Sequence, residues 1–211
     1  MPSGMSLSSN FLIAILLQLP GCVLAVTLHE YAKARCSTAF GDPKPRADGR
    51  LTLNPLKHIE PIGFVLLCIF GMGWGKPVAM LPSYYDPVKR RKAIIITHIL
   101  PVVVNLLIGL VLGVCAAGLH YMLPETGALR YLYIGVLGAA RVNLSFALVQ
   151  CIPVYPMAGE RVLCQFLKPN TVVKMTQYQF IWQILLMLGI VSGYIAMVVN
   201  PICNLLLTIA Q

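Results

Sequence analysis

The sequence predicts an all-α polytopic protein that crosses a membrane several times. Of its 211 residues, 58% are hydrophobic and only 11% are charged, and the mean hydropathy is +0.78. Soluble domains carry about 25% charged residues, so this composition excludes an ordinary soluble domain. The apolar residues are gathered into long stretches, as membrane-spanning helices require. We therefore expect a single membrane-embedded domain over residues 1–211, with about five to six membrane segments.

The net charge of +9 also has a membrane explanation. Lys and Arg gather in cytoplasmic loops, where they meet the anionic headgroups of the lipid bilayer, so no nucleic acid partner is expected. The seven cysteines include no CxxC pair, and most lie in apolar stretches, which indicates reduced and buried thiols. The first ten residues contain no Lys or Arg, so we expect the first apolar stretch to remain as a span and not to be cleaved as a signal peptide.

The first half of the chain contains one long span and one short apolar segment. Residues 10–40 form the first predicted span, and the polar loop 41–60 follows it. Within this loop, residues 50–54 alternate in polarity and precede Pro55, which predicts a short β-strand at an edge or in a hairpin. Residues 61–75 are apolar but rich in glycine, and about fourteen helical residues reach only about 21 Å across a core of about 30 Å. We expect this segment to be re-entrant or a short span.

The second half contains two further long spans and a C-terminal segment. Residues 93–122 and 129–153 are each long enough to cross a bilayer. Residues 154–174 open with a proline-rich turn, and residues 178–210 form a C-terminal span or spans. The short apolar segment lies between two strongly basic loops, and the positive-inside rule places both loops in the cytoplasm. This orientation puts the N-terminus outside.

An incomplete zinc motif lies near the end of the first span. Helical zinc peptidases use two histidines four residues apart, with a glutamate beside the first as general base. His29 and Glu30 are present, but Lys33 occupies the position of the second histidine. A protonated amine has no lone pair for a metal. Because ionisable groups inside apolar spans mark functional sites, these three residues form the first candidate site.

A second motif, between Ile152 and Leu163, supports a family resemblance when it is taken together with the first. It reads Ile-Pro-Val-Tyr-Pro-Met-Ala-Gly-Glu-Arg-Val-Leu. Together with the His-Glu pair it resembles the site-2 protease family of intramembrane zinc metallopeptidases (peptidase family M50), in its minimal bacterial form with a degenerate Leu-Asp-Gly motif. The resemblance covers nearly the whole chain. Further matching stretches, in order, are Gly41–Pro43, Gly49–Leu56, His58–Gly63, Gly73–Val78 and Pro101–Asn105.

The resemblance implies a role for each motif residue. His29 corresponds to the first zinc ligand and Glu30 to the catalytic base. Lys33 and Ala158 stand at the two lost ligand positions, and Gln150 stands where an asparagine is usual. A catalytic zinc needs three protein ligands and a water, so we expect no zinc or other cofactor. Instead we expect Lys33 to pair with Glu30, because side chains three residues apart on a helix meet.

Two further roles follow from the resemblance. Asn105 matches a position near the reaction centre that could stabilise a substrate carbonyl, although an asparagine in a span also commonly makes interhelical hydrogen bonds. The strand element would bind an unwound substrate helix through Arg50, Leu51, Thr52, Leu53 and Asn54. The implied partner is a protein with a transmembrane helix, and the implied location is the bacterial cytoplasmic membrane.

The loss of two ligands out of three favours a pseudoprotease that binds transmembrane helices or a membrane partner. The first alternative is an active intramembrane zinc metallopeptidase with a rebuilt site, such as one made of His29, His98 and Cys151. Zinc is expected as a cofactor only under that alternative. The second alternative is a permeation or transport role for the buried charged cluster, although the sequence lacks the paired broken helices that usually mark a transporter site.

Overall fold

A computed structural model describes residues 7–122, 127 and 129–210, and these residues form a bundle of helices. The helices are α1 (Leu7–Ala39), α2 (Lys44–Ala47), α3 (Pro61–Phe70), α4 (Arg90–Met122), α5 (Leu129–Gln150), α6 (Ala158–Leu163), α7 (Pro169–Gln177), α8 (Gln179–Val191) and α9 (Tyr194–Ala210). Two short 3-10 helices, Pro55–Lys57 and Pro82–Tyr84, lie in the connections. The all-α prediction is confirmed.

Three helices of the described part are long and apolar enough to cross a membrane. They are α1, α4 and α5, with mean hydropathies of 2.4, 2.6 and 1.6 over their most apolar 18 residues. A fourth span is formed if α8 and α9, which meet at 64°, count as one broken helix. The break falls at Gly193, whose φ of +81° takes the backbone out of the helix. The chain is therefore a multi-pass membrane protein with three to four spans. This is fewer than the expected five to six segments, because α3 has only 10 residues and α8 and α9 count together as at most one span.

The long helices pack on one another through small residues. Gly21 of α1 lies so close to Ala139 of α5 that an added methyl group would stand 2.7 Å from the Ala139 Cβ. Gly109 of α4 meets Leu144 of α5 in the same way, with 2.6 Å to the Leu144 Cγ. Small residues let helices approach closely in lipid, where van der Waals packing drives their association. Each of the three helices contacts the other two, so residues on the inner face of α1 are shielded by α4 and α5.

The segment that contains α3 turns back on itself. Glu60 caps the helix by accepting a hydrogen bond from the Gly63 N–H at 2.6 Å, and the helix ends at Gly71 with φ +69°. The chain then continues without regular structure until the Lys76 N–H donates to the His58 carbonyl at 2.7 Å. The residues before and after this segment are thus neighbours in the fold.

The predicted strand over residues 50–54 is wrong. These residues have no strand partner in the described ranges, and their polar groups bond to residues a few positions further along the chain instead. The Thr52 carbonyl accepts from His58 Nε2 at 2.7 Å, and Asn54 Oδ1 accepts from the Leu56 N–H at 3.1 Å. Hydrogen bonds between side chains and backbone compete with regular secondary structure, so this segment is a bent loop that leads into a 3-10 helix.

Candidate functional site

The inner face of α1 carries the His-Glu-Lys motif. His29, Glu30 and Lys33 expose 0%, 2% and 4% of their surface, so all three side chains are shielded from solvent and lipid. Lys33 Nζ lies 3.7 Å from Glu30 Oε1, a contact that the helical spacing of three residues produces locally. This distance is longer than a hydrogen bond, so the two groups form an ion pair without a direct hydrogen bond.

A second cation reaches Glu30 from the bent loop. Arg50 Nη2 lies 3.8 Å from Glu30 Oε2, and the same guanidinium donates to the carbonyls of Lys57, at 2.6 Å, and Lys76. The Val78 N–H also donates to Glu30 Oε2, at 3.2 Å. Burial lowers the pKa of Arg50, and the neighbouring Glu30 carboxylate opposes that effect. Glu30 is therefore held between two cations, of which the sequence indicated only Lys33.

His29 is the group in this site that would suit a metal ion. Its ring is fully buried, and neither ring nitrogen has a hydrogen-bond partner among the described residues. The ring packs edge-on against Phe146 of α5, with the centroids 5.2 Å apart. Burying an imidazole without hydrogen bonds is costly, and a coordinated ion would relieve that cost. A single imidazole, however, is far short of the three protein ligands that a catalytic zinc requires.

The turn after α5 supplies no ligand at the matching position. Ala158 begins α6 and is buried, and its N–H donates to Gln150 Oε1 at 3.0 Å. Gln150 therefore holds the turn against the end of α5. The nearest following carboxylate, Glu160, is paired with Arg161, whose Nε lies 3.2 Å from Glu160 Oε2. Neither residue 158 nor residue 160 brings a free carboxylate to His29.

The side chains present do not fit a catalytic zinc. No three His, Cys, Asp or Glu side chains converge anywhere in residues 7–122, 127 and 129–210. The alternative set of His29, His98 and Cys151 is therefore not brought together. His98 Nδ1 lies 2.8 Å from the Ile94 carbonyl, and Cys151 Sγ lies 3.5 Å from the Ala147 carbonyl. The donors that could have rebuilt the site make local helical contacts instead.

Asn105 lies in the core between three helices. Its Nδ2 donates to the Ala25 carbonyl of α1 at 3.0 Å and lies 3.5 Å from Asn143 Oδ1 of α5. Interhelical hydrogen bonds of this kind contribute about 0.6 kcal/mol on average. The amide donors that could stabilise a substrate carbonyl are thus engaged in holding α4 against α1.

The residues expected to bind a substrate helix are divided between the core and the surface. Arg50 is buried beside Glu30, Leu51 and Thr52 are half-buried, and Leu53 and Asn54 are exposed. Leu53 and Asn54 therefore offer the most accessible surface of the five to a partner. Leu53 projects toward α1, where it forms one wall of an apolar groove.

This groove runs along α1 and has a volume of about 770 Å³. Its one polar side chain is Thr27, whose hydroxyl is buried without a partner in the described structure. The groove is lined by Leu16, Leu19, Pro20, Val23, Leu24, Thr27, Leu28, Leu53, Pro55, Leu56, Ile59 and Phe64.

Comparison with known proteins gives one informative relative. The chain is 30% identical over 182 residues to a protein of Bacillus subtilis (strain 168) described as "Putative zinc metalloprotease YwhC". The match covers 82% of this chain and 80% of that protein. No family model matches the chain, and no solved structure matches it. The likeness thus extends over most of both chains and is not limited to a short motif.

Proposed function

The chain belongs to the site-2 protease family of membrane zinc metalloproteases, and we propose that it is a pseudoprotease that binds a transmembrane helix of a partner protein. The observation that carries this proposal is the environment of Glu30. The carboxylate at the position of the catalytic base lies 3.7 Å from Lys33 and 3.8 Å from Arg50. A protein cation thus stands where a metal ligand should be.

The electrostatics of the site support this proposal. In a working zinc site the metal compensates the charge of nearby carboxylates. Without the ion, a carboxylate left alone in a low-dielectric interior costs several kcal/mol, about 3–5 when a buried pair is broken. Here the carboxylate ligand is replaced by Ala158 and the remaining carboxylate, Glu30, has two cations beside it. Both changes compensate for the loss of a metal, and no cofactor is part of the proposal.

The groove along α1 supports the choice of a helix as the partner. Its walls are apolar, it lies beside the loop that contains Leu53 and Leu56, and these side chains are 58% and 79% exposed. Helices associate in membranes by close packing with occasional polar contacts. The groove has the apolar lining that such packing needs, with Thr27 as its one polar residue.

The proposal also includes a membrane location and an orientation. We place the chain in a bacterial cytoplasmic membrane, with the basic loops inside and the N-terminus outside. The segment that contains α3 begins and ends beside the pair formed by His58 and Lys76, which supports a re-entrant element in place of a crossing.

Restoring the lost ligands tests the metal part of the proposal. The double variant Lys33→His with Ala158→Asp is compared with the parent for zinc per chain, by mass spectrometry of the metal, and for cleavage of a model transmembrane helix. We expect neither zinc nor cleavage in the parent and both in the double variant. A matched control makes the same exchanges at the surface, Lys44→His with Ala47→Asp, and should gain nothing.

An active metallopeptidase is the competing function, and the unpartnered imidazole of His29 is the observation that favours it. Stoichiometric zinc in the parent that persists in Lys33→Ala, together with cleavage that Glu30→Gln abolishes, would establish that function and end the pseudoprotease proposal.

A binding assay tests the helix-docking part separately. A labelled single-span helix is reconstituted with the chain, and association is followed by energy transfer. Leu53→Ser with Leu56→Ser should weaken association, because both side chains line the groove. The matched control, Leu107→Ser with Val111→Ser, changes side chains on α4 that are also exposed, at 56% and 61%. Equal loss in both double variants would show that the groove is not the docking site.

A further inference from the structure

The cluster around Glu30 carries one positive charge too many. Lys33 and Arg50 both face one carboxylate, and all three side chains are at most 5% exposed. A buried charge without a partner is strongly unfavourable. The Arg50 guanidinium is also bound by two carbonyls, whereas the Lys33 ammonium has only its ion pair at 3.7 Å. The unbalanced charge is therefore located at Lys33.

A cavity of about 450 Å³ opens beside Lys33. It lies between the segment after Gly75, the first turns of α4 and the helix α6. Three nitrogen-bearing basic side chains line it, those of Lys33, His98 and Arg161. The Arg161 side chain is 50% exposed and uses its Nε toward Glu160, so the terminal nitrogens of its guanidinium can still donate. This cavity offers several donors and a net positive charge to a ligand.

A second cavity of about 450 Å³ lies next to the first, and His98 lines both. Its walls are mostly hydrocarbon, from α4 on one side and α6 with its following turn on the other. The apolar lining residues are Ile99, Val102, Val162, Leu163 and Phe166. The two cavities, which share His98, thus place a cationic lining beside an apolar one. Each has the volume of an ordinary small-molecule site.

We propose that these paired cavities bind a single-chain anionic amphiphile, such as a fatty acid. The carboxylate head would lie between Lys33 and Arg161, and the hydrocarbon chain would lie between α4 and α6. The head neutralises the excess charge of the Glu30 cluster, and charge-assisted hydrogen bonds to it are stronger than neutral ones. This inference rests on the proposed function in one respect, since it requires that no metal occupies the centre beside Lys33.

The test uses the full chain in neutral detergent and measures binding by native mass spectrometry and calorimetry. The probes are oleate, oleyl alcohol, inorganic phosphate and phosphatidylglycerol, so that head charge and hydrocarbon chain are varied separately. We expect saturable binding of one oleate per chain, with oleyl alcohol and phosphate each at least about tenfold weaker. Oleyl alcohol as tight as oleate, or phosphate as tight as oleate, would overturn the proposal, as would preferential binding of phosphatidylglycerol.

Three variants test the residues. Arg161→Gln and Lys33→Met should each weaken oleate binding at least about tenfold, while the control Lys168→Gln removes an exposed positive charge nearby and should change nothing. Arg161 is half exposed, so its variant tests the site even if Lys33→Met does not fold. Equal affinities for Arg161→Gln and Lys168→Gln would refute the site.

Zinc is measured in the same samples. Zinc in the parent would contradict the proposed function itself, whereas a zinc-free parent that fails to bind oleate would contradict the amphiphile site alone.

Discussion

Two buried carboxylates near the end of α1 are held in opposite ways. Asp42 accepts hydrogen bonds from Ser37 Oγ at 2.8 Å, from the Lys44 N–H at 2.9 Å and from the Leu81 N–H at 2.8 Å. Glu30 instead has two cations at 3.7 and 3.8 Å and one backbone N–H at 3.2 Å. Both residues tie the segment after Gly75 to α1, but only Asp42 does so with short bonds to neutral donors.

The difference indicates that Asp42 stabilises the fold, whereas the proposed function depends on the surroundings of Glu30. The three short hydrogen bonds of Asp42 come from neutral donors and use most of the acceptor capacity of its two oxygens. A carboxylate between two cations at ion-pair distances belongs to a site whose charges are not fully matched. Substitution of Asp42 should therefore lower the free energy of unfolding in any background, whereas the effect of substituting Glu30 should depend on the charges around it.

The largest effect is expected at Asp42. Asp42→Ala removes the acceptor for the N–H groups of Lys44 and Leu81, and it should lower the free energy of unfolding by about 3 kcal/mol. Chemical unfolding in detergent measures this. The control is Asp48→Ala, which breaks the exposed pair with Lys44 at 2.8 Å and should cost less than about 1 kcal/mol. Equal losses in the two variants would show that Asp42 stabilises the fold no more than an exposed ion pair does.

A smaller effect, which depends on whether Lys33 is present, is expected at Glu30. Glu30→Gln keeps an acceptor for Val78 but leaves Lys33 and Arg50 without a counter-charge. It should lower the free energy of unfolding by about 2 kcal/mol, less than the loss of a close buried pair, because both cations lie beyond hydrogen-bond distance from Glu30. In a Lys33→Met background only the Arg50 pair is lost, so the same change should cost less than it does in the parent. A double-mutant cycle of unfolding free energies measures this coupling. Strictly additive effects would mean that the two charges do not interact.

The smallest effect is expected at His58, which joins the loop to the segment near Glu30. Burial lowers the pKa of His58, and its hydrogen bond to the Thr52 carbonyl opposes this. On acidification, the unfolded chain therefore binds a proton at His58 before the folded chain does. The contribution of His58 to the free energy of unfolding is present above about pH 6.5 and is lost as the pH falls.

This expectation is tested by measuring the melting temperatures of the parent and of His58→Gln at about pH 7.5 and about pH 5.5. The two values lie on either side of the ordinary histidine pKa. The parent should lose more stability than the variant on acidification. Parallel curves would show that His58 does not titrate differently in the folded state.

Local sequence patterns predicted the parts of the site that lie on one helix. The spacing of Glu30 and Lys33 fixes their contact, because a helix brings residues three apart together whatever surrounds it. The apolar stretches likewise predicted α1, α4 and α5 as long helices. The strand prediction failed because alternation of polarity over residues 50–54 says nothing about whether a second strand is available to pair with them.

The sequence by itself determined the membrane class and the family, since these depend on composition and residue identity. The loss of ligands at positions 33 and 158 remains a prediction from the family resemblance. Tertiary structure alone decided that Arg50 joins Glu30, that His58 and the Thr52 carbonyl bend the loop, and that two cavities meet at His98. The contact of Arg50 with Glu30 and the two cavities join different parts of the chain, which come together only when the helices pack. The His58–Thr52 bond spans only six residues, but the polarity pattern of the loop does not predict it.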